Sequence, residues 1–327
     1  MRTCFLISLL ASASTSFAFA DDAALLVVQK LSGTVGFYDA AGKHLTDVKV
    51  GAHPHEMALA PDGKTLYVSD NGMVWMTDPG NGENTISVVD IPSRRKIATI
   101  DLGTHRRPHG IVVDPKTGYV LATTEKPNGL IVVDPVAKKV LKAYDVKGEA
   151  PHMVMLSPDS DWAFTSDSNS NQLSVIHLSA NDVRVLPAGK YPQGQAFSPD
   201  RKTLYVTFAG DNAIGIFDMA KKEFIGRIPV GNYPNRVAVT PDGKTLVYSL
   251  QKANAVGFAD VATRKQTGEV PADGPTMSVS LSPDGKLAYT GVQEQDKVVV
   301  ISVADRRVVK RIGTPKGAGP DPALALR

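Results

Sequence analysis

From residue 24 onward the apolar positions fall in short runs rich in Val, Ile and Tyr, separated by polar turn clusters, and no stretch keeps the period of an amphipathic helix. The pattern therefore predicts strands throughout. Aligned on a turn proline, six segments repeat: "LAPDGKTLYV", "VDPKTGYVLA", "LSPDSDWAFT", "FSPDRKTLYV", "VTPDGKTLVY" and "LSPDGKLAYT". Their prolines, Pro61, Pro115, Pro158, Pro199, Pro241 and Pro283, are spaced by 54, 43, 41, 42 and 42 residues. A period in the low forties built from strands predicts a β-propeller with four strands per blade. One apolar strand enters the turn (A) and a second leaves it (B). A third such as "TISVVDI" (C) and a fourth such as "RKIATIDLG" (D) complete the repeat. Proline and glycine at the A–B turn supply its fixed and its positive φ.

The two ends supply one further blade. "ALLVVQK", "TVGFYDA" and "HLTDVKV" read as B, C and D strands without an A strand, and "GPDPALALR" reads as an A strand without successors. The expectation is an all-β, seven-bladed propeller over residues 21–327, closed by pairing the N-terminal strands with a C-terminal one. The repeat, with "LYVSD" and "LYVTF", resembles the YVTN-type β-propeller family along essentially all of residues 24–327. That resemblance implies the fold. Its members range over lactonase-like enzymes, electron-transfer subunits, surface proteins and nucleic-acid binders, and a seven-bladed relative, the nitrous-oxide reductase propeller, holds copper with inward-facing histidines. Function is not transferred by fold alone.

Six residues before each turn proline stands the first side chain of strand A: His55, His109, His152, Gln193, Asn235 and Met277, with Asp321 in the last strand. The sixth repeat carries an extra residue, so Thr276 competes with Met277. Strand A is innermost, so these positions form a ring at one mouth of the channel. His55, His109, His152 and Asp321 then share an arc, a donor set suited to Zn, Cu, Fe or Ni. Gln193 and Asn235 face them as substrate contacts, flanked by Tyr191 and Tyr233. A plainer reading stands beside this one: each Pro-His start belongs to the repeat, with its imidazole bonded to a neighbouring backbone carbonyl. His53 and Glu56 belong to the same entrance in supporting roles.

The long first spacing places an insertion, "DNGMVWMTDPGNGEN" (70–84), in the B–C loop on the ring side. Met73, Trp75 and Met76 give it the apolar content of a lid or of a loop packed on its neighbour. Arg106 and Arg107 would steer an anionic substrate such as a carboxylate or phosphate. Asp70, Glu125 and Asp167, at strand B ends, would serve as general base or ligand. On the opposite rim, C–D turns carry basic pairs such as Arg94-Arg95 and Arg306-Arg307. No aromatic residue interleaves with them, so they read as soluble hairpin tips rather than as a nucleic-acid surface.

Composition narrows the chemistry. Residues 1–20 read as a secretory signal, with Arg2, a short apolar stretch and "AFA" before Asp21, which predicts a periplasmic or secreted protein. The only cysteine, Cys4, lies within it, so the mature chain has no disulfide, thiol nucleophile or covalent c-type haem. Net charge is +3, and no apolar run is long enough to span a membrane. Nucleophile-elbow, phosphate-loop and HExxH motifs are missing. Two readings stand: a metal-assisted hydrolase or lyase acting on a small polar or anionic molecule, lactonase-like as the family resemblance implies, or a non-enzymatic binding or accessory propeller for a protein, single-stranded nucleic acid or redox partner. The oligomeric state is not legible in the sequence.

Overall fold

The structure, a computed structural model, describes residues 23–326, so the expected signal segment lies outside the described residues. Twenty-eight strands among them form seven four-stranded antiparallel sheets. In the first blade the order from the axis outward is Pro54–Leu59, Thr65–Asp70, Thr85–Asp90 and Arg95–Asp101. The closing blade joins the chain's ends as expected. Pro320–Ala325 pairs antiparallel with Leu25–Gln29, Leu324 facing Leu26, and Thr34–Tyr38 and His44–Lys49 follow outward.

Local chemistry explains the hairpins. In the first A–B turn the Asp62 carboxylate accepts from the backbone N–H groups of Lys64 (2.7 Å) and Thr65 (2.9 Å), and Gly63 takes φ +66°. At the C–D turns one residue of several basic pairs holds positive φ, among them Arg94 (+54°), Lys138 (+54°) and Arg306 (+51°). Apolar side chains meet between blades rather than at the axis. Ile86 and Ile100 of the first blade pack with Ile111 and Ile131 of the second, and Phe164 of the third with Phe197 and Phe217 of the fourth.

The innermost strands need a second device, because their ladder is broken. In the first five blades the A–B register shifts between the starting proline and the third residue after it, leaving two residues in a bulge. In the first, second, fourth and fifth of these a strand-B hydroxyl fills the gap. Ser69 Oγ accepts from Glu56 N (3.0 Å) and donates to the His109 carbonyl of the next blade (2.7 Å). Thr123 Oγ1 does the same between Gly110 N (2.9 Å) and His152 O (3.0 Å). Thr207 Oγ1 links Gly194 N and Asn235 O, both at 2.8 Å. The strands approach so closely that a Cβ on Gly110 would lie 2.6 Å from the His152 carbonyl oxygen.

Thr207→Val preserves shape while leaving one buried donor and one buried acceptor without partners. It should cost about 1–3 kcal/mol of stability, measured by chemical denaturation. A loss near zero would show that the bridge carries no weight.

Candidate functional site

One cavity of about 170 Å³ opens at the mouth, and all seven ring positions line it: His55, His109, His152, Gln193, Asn235, Met277 and Asp321. Met277 takes the sixth position. Thr276 is wholly buried against the fifth blade, accepting from Leu250 N (3.0 Å) and donating to Ala255 O (2.8 Å). Tyr191 and Tyr233 sit at the amide side of the cavity, as expected, with ring centroids 6.1 Å apart. Their positive φ (+54° and +62°), directly before a proline, is held by Asn171 and Asn212, whose side-chain oxygens accept from their N–H groups.

The three histidines are buried and touch one another, with centroids 4.4 Å apart for His55–His109 and 4.0 Å for His109–His152. His55 Nε2 lies 2.7 Å from the Met73 carbonyl, which only accepts, so His55 carries a proton there. Its Nδ1 faces His109 Nε2 at 3.2 Å, and His109 Nδ1 lies 3.3 Å from Glu125 Oε1. A line of polar atoms thus runs from Glu125 through two imidazoles to the inserted loop, along which a proton can shift. Burial pushes all three imidazoles well below the usual histidine range, helped by the positive charge of Lys30 and Arg236. Burial raises the Glu125 carboxyl to about 7 against the pull of Arg107, whose Nε lies 2.9 Å from Oε2.

Two cations in the cavity were not singled out from the sequence. Arg236, one residue past the ring, reaches across the axis to Glu56 (Nη2 to Oε1, 2.5 Å) and also donates to Asn235 Oδ1 (2.7 Å). Stepping the ring alignment forward by one residue would have paired them. Lys30 follows the first strand of the closing blade and is only 4% exposed. Among the described residues its ammonium makes one hydrogen bond, to Asp321 Oδ2, long at 3.4 Å. The position just past strand B is the signal that would have found it. His53 supports Lys30 from below through the Lys30 carbonyl (3.2 Å).

The inserted loop covers part of the cavity through Val74, Trp75, Met76 and Thr77. Arg107 holds it, donating to the carbonyls of Met76 (2.9 Å), Trp75 (3.3 Å) and Asp78 (3.4 Å), while Arg106 donates to Gly82 O (3.1 Å). Neither arginine lines the cavity, so the structure gives them the loop to hold rather than a substrate to steer. Asp70 also lies outside the cavity lining. Its carboxylate accepts from Gly51 N, Thr85 Oγ1 and Ser87 Oγ (2.8, 2.9 and 2.7 Å), and burial raises its pKa. Asp167 is likewise engaged by Thr165 and Ser174 and pushed up to about 7 by burial.

The metal expectation meets a divided geometry. Two imidazole nitrogens on one tetrahedral ion stand about 3.3 Å apart, given metal–nitrogen bonds of about 2.0–2.1 Å. The 3.2 Å between His55 Nδ1 and His109 Nε2 fits that, with Met73 O and Glu125 bonding the outer nitrogens. The remaining two expected ligands are otherwise engaged. Asp321 accepts from Gln293 Nε2 (2.9 Å) and Lys30, and His152 Nδ1 faces Arg236 at 3.5 Å. Among the described residues no group of three His, Cys, Asp or Glu side chains is placed to hold a metal ion.

The depressed histidine pKa values have a signed consequence. A histidine that stays neutral when folded contributes stability above its unfolded pKa of about 6.5, lost as pH falls, by up to about 1.4 kcal/mol per pH unit. Glu125 and Asp167 act oppositely: their raised pKa values add stability at low pH that is lost as pH rises through about 7. His152→Gln places at the ring the residue already found at Gln193. The difference in Tm between this variant and the parent isolates the His152 share. That difference should move in the variant's favour as pH falls below about 6.5, read by thermal unfolding across pH.

Comparison with known proteins bears on the fold. A model of the YNCE-like beta-propeller family matches residues 80–270. Among solved structures, the hydrazine synthase of Kuenenia stuttgartiensis is 21% identical with a TM-score of 0.73, covering 91% of this chain and 99% of that one. A functionally unknown protein from Desulfotomaculum acetoxidans DSM 771 is 13% identical with a TM-score of 0.75, covering 93% and 98%. The dihydro-heme d1 dehydrogenase NirN, solved in complex with DHE, is 16% identical with a TM-score of 0.67, covering 94% and 67%. At these identities the likeness is one of fold. A search of curated proteins finds no match. The repeat, the ring closure and the family match converge, and the chain belongs to the YNCE-like β-propellers.

Proposed function

We propose that this propeller binds a small organic anion, a carboxylate foremost, in the mouth cavity beneath the inserted loop. The observation that carries this reading is Lys30. An ammonium has three donors, and burying it is costly unless they are met. Here it is almost wholly enclosed and makes one long hydrogen bond into a cavity lined by imidazoles and Arg236. An anionic oxygen between Lys30 and the histidines would meet those donors. Burial holds the imidazoles neutral, and the nearby positive charges of Lys30 and Arg236 act in the same direction, so the histidines add no competing charge to the cavity. Gln193, Asn235 and the two tyrosines supply neutral contacts opposite. The export signal read in residues 1–20 supports a periplasmic or secreted setting.

Calorimetric titration with acetate, butyrate and succinate tests this. Binding should weaken about tenfold or more in Lys30→Met, the worth of a charge-assisted hydrogen bond. Absence of heat from every acid with the parent protein would overturn the reading.

A second reading rests on the facing nitrogens of His55 and His109. A divalent Zn, Cu, Fe or Ni ion held there would supply Lewis acidity toward a bound carbonyl, the chemistry of a lactonase-like hydrolase or a lyase. In that reading Glu125 orients His109, the Met73 carbonyl orients His55, and the loop over the cavity excludes water. Metal content after loading and desalting decides it. About one equivalent in the parent and loss in His55→Gln with His109→Gln would support it, and a metal-free parent would refute it.

A further inference from the structure

The mouth cavity does not end at its polar bowl. A second hollow of about 310 Å³ adjoins it between the inserted loop and the sixth and seventh blades, lined by Leu31, Val74, Trp75, Pro275 and Met277, with Gln251, Gln293 and Glu294 at its polar margin. Val74, Trp75, Met277 and Gln251 line both spaces, so the two lie side by side. The bowl is polar and the groove apolar, and Lys30 stands at the seam. Its Nζ lies 3.4 Å from Asp321 on one side and 5.9 Å from the centre of the Trp75 ring on the other.

The exposed apolar side chains single out this groove. Ile97, Leu141, Ile225 and Val309 each belong to an outermost strand of a different blade. Leu31 (46% exposed) and Trp75 (45%) instead come from different blades and meet in one groove. Trp75 is held there, because its carbonyl accepts from Arg107 and its N–H donates to Asp78 Oδ2 at 2.8 Å. These are backbone contacts, and the indole they carry, on a residue 45% exposed, forms an apolar wall.

We propose that the natural ligand is amphipathic: an organic acid whose carboxylate sits at Lys30 and whose hydrocarbon or aryl portion lies along the Trp75–Leu31–Met277 groove. This rests on the anion-binding reading and specifies its ligand class. The acid head answers the under-used ammonium, and the tail removes the apolar wall from water. The groove's volume accommodates a chain of several carbons in addition to a head within the bowl.

The experiment is a homologous series of straight-chain carboxylates from acetate to octanoate, with phenylacetate and the neutral alcohol hexanol, titrated calorimetrically and by tryptophan fluorescence. Trp162→Phe serves as the parent background, leaving Trp75 as the only tryptophan reporter. Affinity should rise about fourfold per methylene until the groove is filled, with a change in Trp75 emission that begins only when the tail reaches it. In Leu31→Gln the ratio of octanoate to butyrate affinity should fall toward one. Equal affinity for short and long acids, without an emission change, would overturn the amphipathic ligand and leave the anion reading standing. Hexanol binding as tightly as hexanoate, or no acid binding at all, would overturn the anion reading itself.

Discussion

A side-chain hydroxyl bridging three strands is what the site depends on. In the first five blades the innermost strand aims its first side chain at the channel by bulging out of its own ladder. That leaves a backbone N–H in one blade and a carbonyl in the next without ladder partners. Ser69, Thr123 and Thr207 meet both needs with one oxygen each. The carbonyl they bind belongs to the ring residue itself, so the same contact that joins neighbouring blades also fixes where His109, His152 and Asn235 stand. Architecture and site are therefore set by a single short polar link, and the apolar clusters between blades hold the sheets at the distance it requires.

The charges inside the mouth follow from that placement. Glu56 and Arg236 come from blades on opposite sides of the channel and close its floor, each offsetting the cost of burying the other. Glu125 and Arg107 form a similar pair behind His109 and extend it into the inserted loop. Lys30 and Asp321 make the loosest of the three contacts, at 3.4 Å. Two of the pairs are tightly neutralised, and the third leaves an enclosed cation with donors to spare. Neutral imidazoles fill the space between.

The architecture was legible because proline spacing and strand alternation are periodic, and a repeat of constant length in a ring leaves few alternatives. The ring residues were legible for the same reason: a fixed offset from the turn proline marks a fixed radius. Their partners were not, since partnership runs across the channel between residues such as Glu56 and Arg236, 180 positions apart. Arg106 and Arg107 looked like substrate contacts because a basic pair beside a pore suggests an anion. The insertion supplies carbonyl acceptors that no spacing rule foretells, and these capture both side chains. Asp70 and Asp167 stand at the strand ends where a base was expected, yet neighbouring hydroxyls turn them inward. The insertion's position could be read from the long first spacing, whereas its anchoring by Arg107 required the fold.

The closing blade gives the loosest pair a temporal meaning. Lys30 and Asp321 are 291 residues apart, on strands that meet only when Leu25–Gln29 pairs with Pro320–Ala325. The bowl is therefore incomplete until residues 320–325 are in place and the circle has shut. A ligand that bridges the two strands would act as a latch on that seam, favouring the shut circle over an open one by mass action. Occupancy would then protect the protein where its continuity is non-covalent, and the seam would be the first place to part in its absence.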